Sequence, residues 1–153
     1  MFTGTIQAKL DAKGRVFFPA SFRKQLGEDA GGDFDFVLKR DVYAPCMVVY
    51  PRGAWEEEWR HVSSSLNRWN PTHATLLRQF MSDIELVQLD ANGRFIVPKR
   101  FLNALNIKKE VAFIGMGDRI EMWDAEQIGN FVAPADYIHM MENLLGNTGQ
   151  SRM

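Results

Sequence analysis

Asp11-Ala-Lys-Gly-Arg15-Val-Phe-Phe-Pro19 and Asp90-Ala-Asn-Gly-Arg94-Phe-Ile-Val-Pro98 are two copies of one pattern, set 79 residues apart. Asp, Ala, Gly, Arg and Pro stay in register, and the agreement continues through Phe22 with Phe101 and Leu26 with Leu105. A repeat at fixed spacing means that the chain is built twice from one supersecondary unit. Asp at the first turn position and Gly at the fourth suit a type I turn closed by a left-handed residue. Asp11–Gly14 is therefore expected to form a β-hairpin tip with a bulge between Thr5–Leu10 and Arg15–Phe18, and Asn92-Gly93 gives the second copy the same signal. Across such a tip Asp11 comes within reach of Arg15, and Asp90 of Arg94. Charge-assisted hydrogen bonds then fix the direction of each guanidinium.

Working outward, Pro19 ends the strand and Ala20–Leu26 predicts a short helix stopped by Gly27, with Phe22 and Leu26 one turn apart on its inner face. The second copy repeats this from Pro98 through Leu105. A strand pair follows each helix: 36–39 with 46–50, then 111–114 with 120–123. The Gly- and Asp-rich segment Gly27–Asp35 is expected to be a surface loop, longer in the first copy than in the second. Trp55, Trp59, Val62, Leu66 and Trp69 predict one apolar face on a helix of about four turns. Asn70-Pro71 supplies the cap and first proline of a helix from Thr72 to about Asp83, faced by Leu76, Leu77, Phe80, Met81 and Ile84. After the second unit, Asp124 is placed to cap a short helix through Phe131. Pro134 opens another, with Tyr137, Met141, Leu144 and Leu145, that stops before Gly146. The expected organisation is a first unit over 5–52, linking helices over 53–80, a second unit over 81–124, C-terminal helices over 125–146 and a frayed tail over 147–153. The helical stripes are expected to pack inside the chain, although three tryptophans on one face also suit a subunit interface.

The 153 residues are 46% hydrophobic and 24% charged, enough for one domain or two small fused ones. No apolar run is long enough to cross a bilayer, and Met1-Phe2-Thr3-Gly4 lacks the regions of a signal peptide. One cysteine, Cys46, allows neither an intramolecular disulfide nor a multi-cysteine zinc site. The net charge of −1 conceals a segregation. Residues 1–27 carry Lys9, Lys13, Arg15, Arg23 and Lys24 against Asp11 alone, and 88–109 carry Arg94, Lys99, Arg100, Lys108 and Lys109 against Asp90 alone. Each repeat is thus locally +4 and the remainder sums to −9. A basic face of this kind is what phosphate recognition requires, whatever the total charge.

Catalytic patterns are sparse. His61, His73 and His139 share no metal-ligand spacing, and His139-Met-Met-Glu142 is a helix-surface pair rather than a zinc motif. Gly115-Met-Gly117 lies between strands and belongs to a turn, not to a dinucleotide fingerprint. Glu56–Glu58 suits the start of a helix, and Ser63–Ser65 has no adjacent base. No enzyme, cofactor, metal or small-molecule substrate is expected.

Met1-Phe-x-Gly4, Leu10-Asp-Ala-Lys-Gly-Arg15, Pro19, Tyr50-Pro51 and Trp55, then Leu89-Asp-x-x-Gly-Arg94, Pro98, Ile114-Gly115 and Ile120-Glu-x-Trp-Asp124, resemble the MraZ family. These are bacterial DNA-binding regulators with two SpoVT/AbrB-like domains in one chain, and the match runs in order over nearly the whole length. The chain departs at Thr3, in the acidic Gly27–Asp35 loop, and where Lys13 of the first copy becomes Asn92 in the second.

The resemblance implies an α+β fold, an internally duplicated double split β-barrel with helices after each repeat. It also implies a ring-shaped homo-oligomer bound to direct repeats of double-stranded DNA, repressing its own promoter and a division and cell-wall gene cluster. A cytoplasmic, nucleoid-associated protein without a membrane partner is expected. Arg15 is then the principal DNA contact, with Lys13 and Lys9 assisting and Arg94 in the matching place. Asp11 and Asp90 aim the two arginines. Two alternatives stand beside this: an AbrB-like antitoxin, and a ring-forming scaffold whose Asp–Arg pairs only staple turns.

Overall fold

Strands of one repeat find their partners in the other. The computed structural model describes residues 1–27, 32–129 and 131–151 and contains β1 (Thr5–Lys9), β2 (Arg15–Phe17), β3 (Phe36–Arg40) and β4 (Met47–Pro51) from the first repeat. The second contributes β5 (Ile84–Val87), β6 (Arg94–Ile96), β7 (Glu110–Gly115) and β8 (Ile120–Asp124). They form a six-stranded antiparallel sheet in the order β1-β7-β8-β4-β3-β5 and a separate two-stranded ribbon, β2-β6. Exchanging each strand for its counterpart in the other repeat reverses the order and leaves it unchanged. A pseudo-twofold therefore runs between β4 and β8 in the sheet and between β2 and β6 in the ribbon.

The expected hairpins are thereby corrected. β1 pairs with β7, Thr5 opposite Ile114 and Lys9 opposite Glu110, and β5 pairs with β3. β2 leaves the sheet to meet β6. The turn is as expected: Gly14 N–H donates to the Asp11 carbonyl at 3.0 Å, and Gly14 and Gly93 take φ of +79° and +81°. It joins two sheets rather than two neighbouring strands. Alternation explains why. Val16 and Phe95, central in the ribbon, point into the core, and only a layer facing the large sheet can bury both. The strand pairs β3–β4 and β7–β8 form as expected.

A single core lies between ribbon and sheet and draws on both halves. Phe18 stacks on Phe36 at 5.2 Å between ring centroids, Phe95 meets Phe36 edge-on at 5.2 Å, and Phe113 meets Phe18 edge-on at 5.8 Å. The short helices α1 (Ala20–Leu26) and α4 (Lys99–Ala104) add Phe22, Leu26 and Phe101. The other face of β3 and β4 packs under α2 (Arg52–Ser65), where Tyr50 meets Trp55 and Trp55 stacks on Phe80 of α3 (Pro71–Ser82).

The helical stripes depart from expectation. α2 stops at Ser65 because the Ser63, Ser64 and Ser65 hydroxyls donate back to the Arg60 and His61 carbonyls and Leu66 turns extended. Trp69 therefore lies beyond the helix and is 88% exposed. Asn70 does cap α3, accepting from the Thr72 and His73 N–H groups. Asp124 caps nothing through its side chain; only a 3₁₀ turn, Ala125–Gln127, follows it, and Ile128 is extended. α5 runs Pro134–Ser151, past Gly146, with exposed Tyr137, Ile138, Met140, Leu144 and Leu145, so its apolar side chains are not core. Residues 28–31 of the Gly27–Asp35 loop and 152–153 of the expected tail lie outside the described residues.

Candidate nucleic-acid interface

Each turn builds an identical clasp around its arginine. Oδ1 of Asp11 accepts the Lys13 and Arg15 backbone N–H groups at 2.9 and 2.8 Å, and Oδ2 accepts Arg15 Nε at 2.6 Å. Asp90 repeats this with Asn92 N–H, Arg94 N–H and Arg94 Nε at 2.9, 2.9 and 3.0 Å. The Arg15 backbone bond, followed by its side chain and the Lys13 N–H, holds the Asp11 carboxyl below the usual carboxylate range; the Arg94 and Asn92 N–H groups do the same for Asp90. Both acids are therefore ionised at neutral pH. Because the carboxylate takes Nε, the two terminal nitrogens of each guanidinium have no hydrogen-bond partner among the described residues. That leaves the planar fork able to grip two acceptors side by side.

The ribbon brings the two arginines to one surface. Val16 and Phe95 face the core, so the alternate residues Arg15, Phe17, Arg94 and Ile96 face outward. Arg15 stands opposite Ile96, and Arg94 opposite Phe17. The arginines thus lie on one diagonal, about 7–8 Å apart. Neither is remote from the other, as a sequence separation of 79 residues would suggest.

The tips differ in what supports them. A β-carbon at Gly14 would meet Leu102 only in ordinary van der Waals contact. Gly93 is buried beneath Arg23 of α1, whose Nη1 donates to the Asn92 carbonyl at 3.4 Å; a β-carbon at Gly93 would collide with that guanidinium. Arg23 and Leu102 occupy matching places in the two repeats. The lysine missing from the second tip is thus replaced locally by a cation from the first half. Lys13 is exposed within its turn, whereas Lys9 closes β1 opposite Glu110 and does not share the ribbon. Arg100 pairs with Glu85 at 2.6 Å.

Sequence reasoning missed Arg23, Phe17 and Ile96. Aligning the repeats exposes the Arg23–Leu102 exchange, but its proximity to the opposite tip follows only from the crossed topology. Elsewhere, Arg119 joins Asp118, Glu58 and Tyr50, tying the β7–β8 turn to α2. Burial pushes the Cys46 thiol up, away from the reactive thiolate. Among the described residues no three His, Cys, Asp or Glu side chains gather as a metal would require, and no helix is long and apolar enough to cross a membrane.

The family model described as "MraZ protein, putative antitoxin-like" matches residues 1–79 and again 80–141, one match for each repeat. The chain belongs to the MraZ family. A protein of Phocaeicola vulgatus named Transcriptional regulator MraZ is 44% identical over 95% of this chain and 94% of its own. One of Bacteroides thetaiotaomicron with the same name is 40% identical over 95% and 93%. Another, of Alcanivorax borkumensis, is 32% identical over 82% and 84%. The boundary between the two family matches falls within α3, so the MraZ family unit includes β1–β4 and their following helix, together with strands that pair only across the boundary.

Proposed function

We propose that this chain is a sequence-specific, double-stranded-DNA-binding transcriptional regulator, and that the outer face of the β2–β6 ribbon is its reading surface. The observation that carries this is the pair of Asp-clasped arginines on one face, each with its terminal nitrogens left without a hydrogen-bond partner among the described residues. Guanine offers O6 and N7 in the major groove at the spacing of such a fork, a contact worth about 1–3 kcal/mol in discrimination. Arg15 is the principal contact, Lys13 assists it at the same tip, and Arg94 serves the second tip; Asp11 and Asp90 orient the arginines. Lys9 contributes through the general field rather than from the ribbon. The names of the relatives support regulation of transcription.

In this proposal the sheet and ribbon, wrapped around one core, form an internally duplicated double split β-barrel, with units over 5–52 and 81–124. A single ribbon is a small interface, so a ring-shaped homo-oligomer is invoked to present several at fixed spacing to direct repeats, gaining by effective concentration. Two features favour it: α5 exposes an apolar face, and a groove of about 510 Å³ between the sheet and α2–α3 is lined by Val62, Leu66, Leu76, Leu77 and Phe80. The target is the chain's own promoter, at the head of a division and cell-wall cluster, and the effect is repression. The protein then resides in the cytoplasm on the nucleoid and is not an enzyme.

The test is a titration of the full chain against its own upstream DNA and a scrambled duplex, at several salt concentrations. Tight binding to the first, with log K falling linearly with log salt, is expected. Equal binding to both duplexes contradicts sequence-specific recognition.

A further inference from the structure

The ribbon carries an apolar pair that the arginine chemistry does not use. Phe17 is 56% exposed and Ile96 62%, although their neighbours Val16, Phe18, Phe95 and Val97 are all buried. Their exposure follows from alternation, which sets them on the outer face beside Arg15 and Arg94. Register then forms a checkerboard: arginines on one diagonal, Phe17 and Ile96 on the other. The Arg94 guanidinium carbon lies 5.8 Å from the Phe17 ring centroid, so the ring also helps to position that arginine. Two large apolar groups set between two arginine forks match a surface that offers both acceptors and apolar atoms in one plane.

We propose that Phe17 and Ile96 contact thymine 5-methyl groups, making them specificity-determining residues for duplex DNA; this rests on the DNA-binding reading above. The major groove displays guanine acceptors and thymine methyls along one floor, the two chemistries this checkerboard presents. Neighbouring positions on the ribbon are spaced about 4.5–5.5 Å across strands, close enough to meet adjacent base steps. A second copy of the chain is a poor occupant, because a self-complementary contact on this face would crowd four guanidinium cations into one small interface.

The experiment compares two duplexes of the chain's own upstream sequence, one with thymine and one with deoxyuridine at every thymine. Binding by the full wild-type chain should weaken about fourfold for each buried methyl that the deoxyuridine duplex lacks. Phe17→Ala and Ile96→Ala should weaken binding to the thymine duplex, shrink the difference between duplexes and leave the oligomer mass unchanged. Equal wild-type affinity for the two duplexes, with binding still abolished in Arg15→Ala, overturns the inference alone. So does undiminished methyl sensitivity in the Phe17→Ala/Ile96→Ala double variant, or a change of mass, which would assign the pair to subunit packing. If the wild type binds neither duplex, the DNA-binding reading falls and the inference falls with it.

Discussion

At the scale of single residues, what matters is which nitrogen each Asp occupies. Asp11 and Asp90 take Nε and the turn N–H groups, so they aim a guanidinium without consuming its fork. Arg15→Lys retains charge but loses the clasp and the fork, and should discriminate poorly between operator and scrambled DNA in anisotropy titrations while keeping nonspecific affinity. The pH dependence has a definite sign. Both folded carboxyls lie below the ordinary value of 3.8, so their contribution is fully present above that value and is lost as pH falls through the folded values. Tip structure, followed by NMR of the Arg15 and Arg94 Nε–H signals, should therefore be unchanged from pH 7 to pH 5 and lost only below about pH 4. Gly14 and Gly93 both need positive φ, but Gly93 also lies beneath Arg23. Gly93→Ala and Gly14→Ala should each destabilise by the ~1–2 kcal/mol of a left-handed alanine, as read by urea unfolding, because the exposed Arg23 guanidinium is the end of a flexible side chain that can swing aside. The Asp–Arg spacing and the turn glycines were legible in sequence because they are local. Arg23 was not, since its partner stands 69 residues away.

At the scale of elements, local signals located the strands but not their partners. The turn at Asp11–Gly14 forms as its residues dictate, yet burial of Val16 and Phe95 sends β2 into a second layer. A turn motif cannot disclose that, because it fixes four residues and not the sheet beyond them. Helix caps were equally local: Asn70 caps α3 as its sequence predicts, and Asn70→Ala should cost about 1 kcal/mol in thermal or urea unfolding. The apolar stripes misled more. Periodicity reports that a helix has an apolar face but not what packs against it. On α5 that face is exposed, at Leu144 and Leu145 among others. A Leu144→Glu/Leu145→Glu variant should retain its far-ultraviolet circular dichroism and lose oligomer mass by light scattering; unchanged mass would remove α5 from the proposed subunit contact.

At the scale of the whole molecule, the duplication is an exchange of strands rather than two barrels in series. β1 completes the second repeat's sheet and β5 the first's, and the phenylalanine core takes side chains from both. Residues 1–79 alone should never yield a folded monomer, since β1 would lose β7 and β2 would lose β6. The same crossing sets Arg15 and Arg94 about 7–8 Å apart and joins the basic segments of two repeats in a protein of net charge −1. The central claim is that this ribbon reads DNA. Its most direct test is the affinity of the Arg15→Ala/Arg94→Ala double variant for the chain's own upstream DNA, with oligomer mass measured alongside. The account predicts that specific binding falls by at least an order of magnitude while the mass is unchanged. Undiminished binding by an intact oligomer would contradict it.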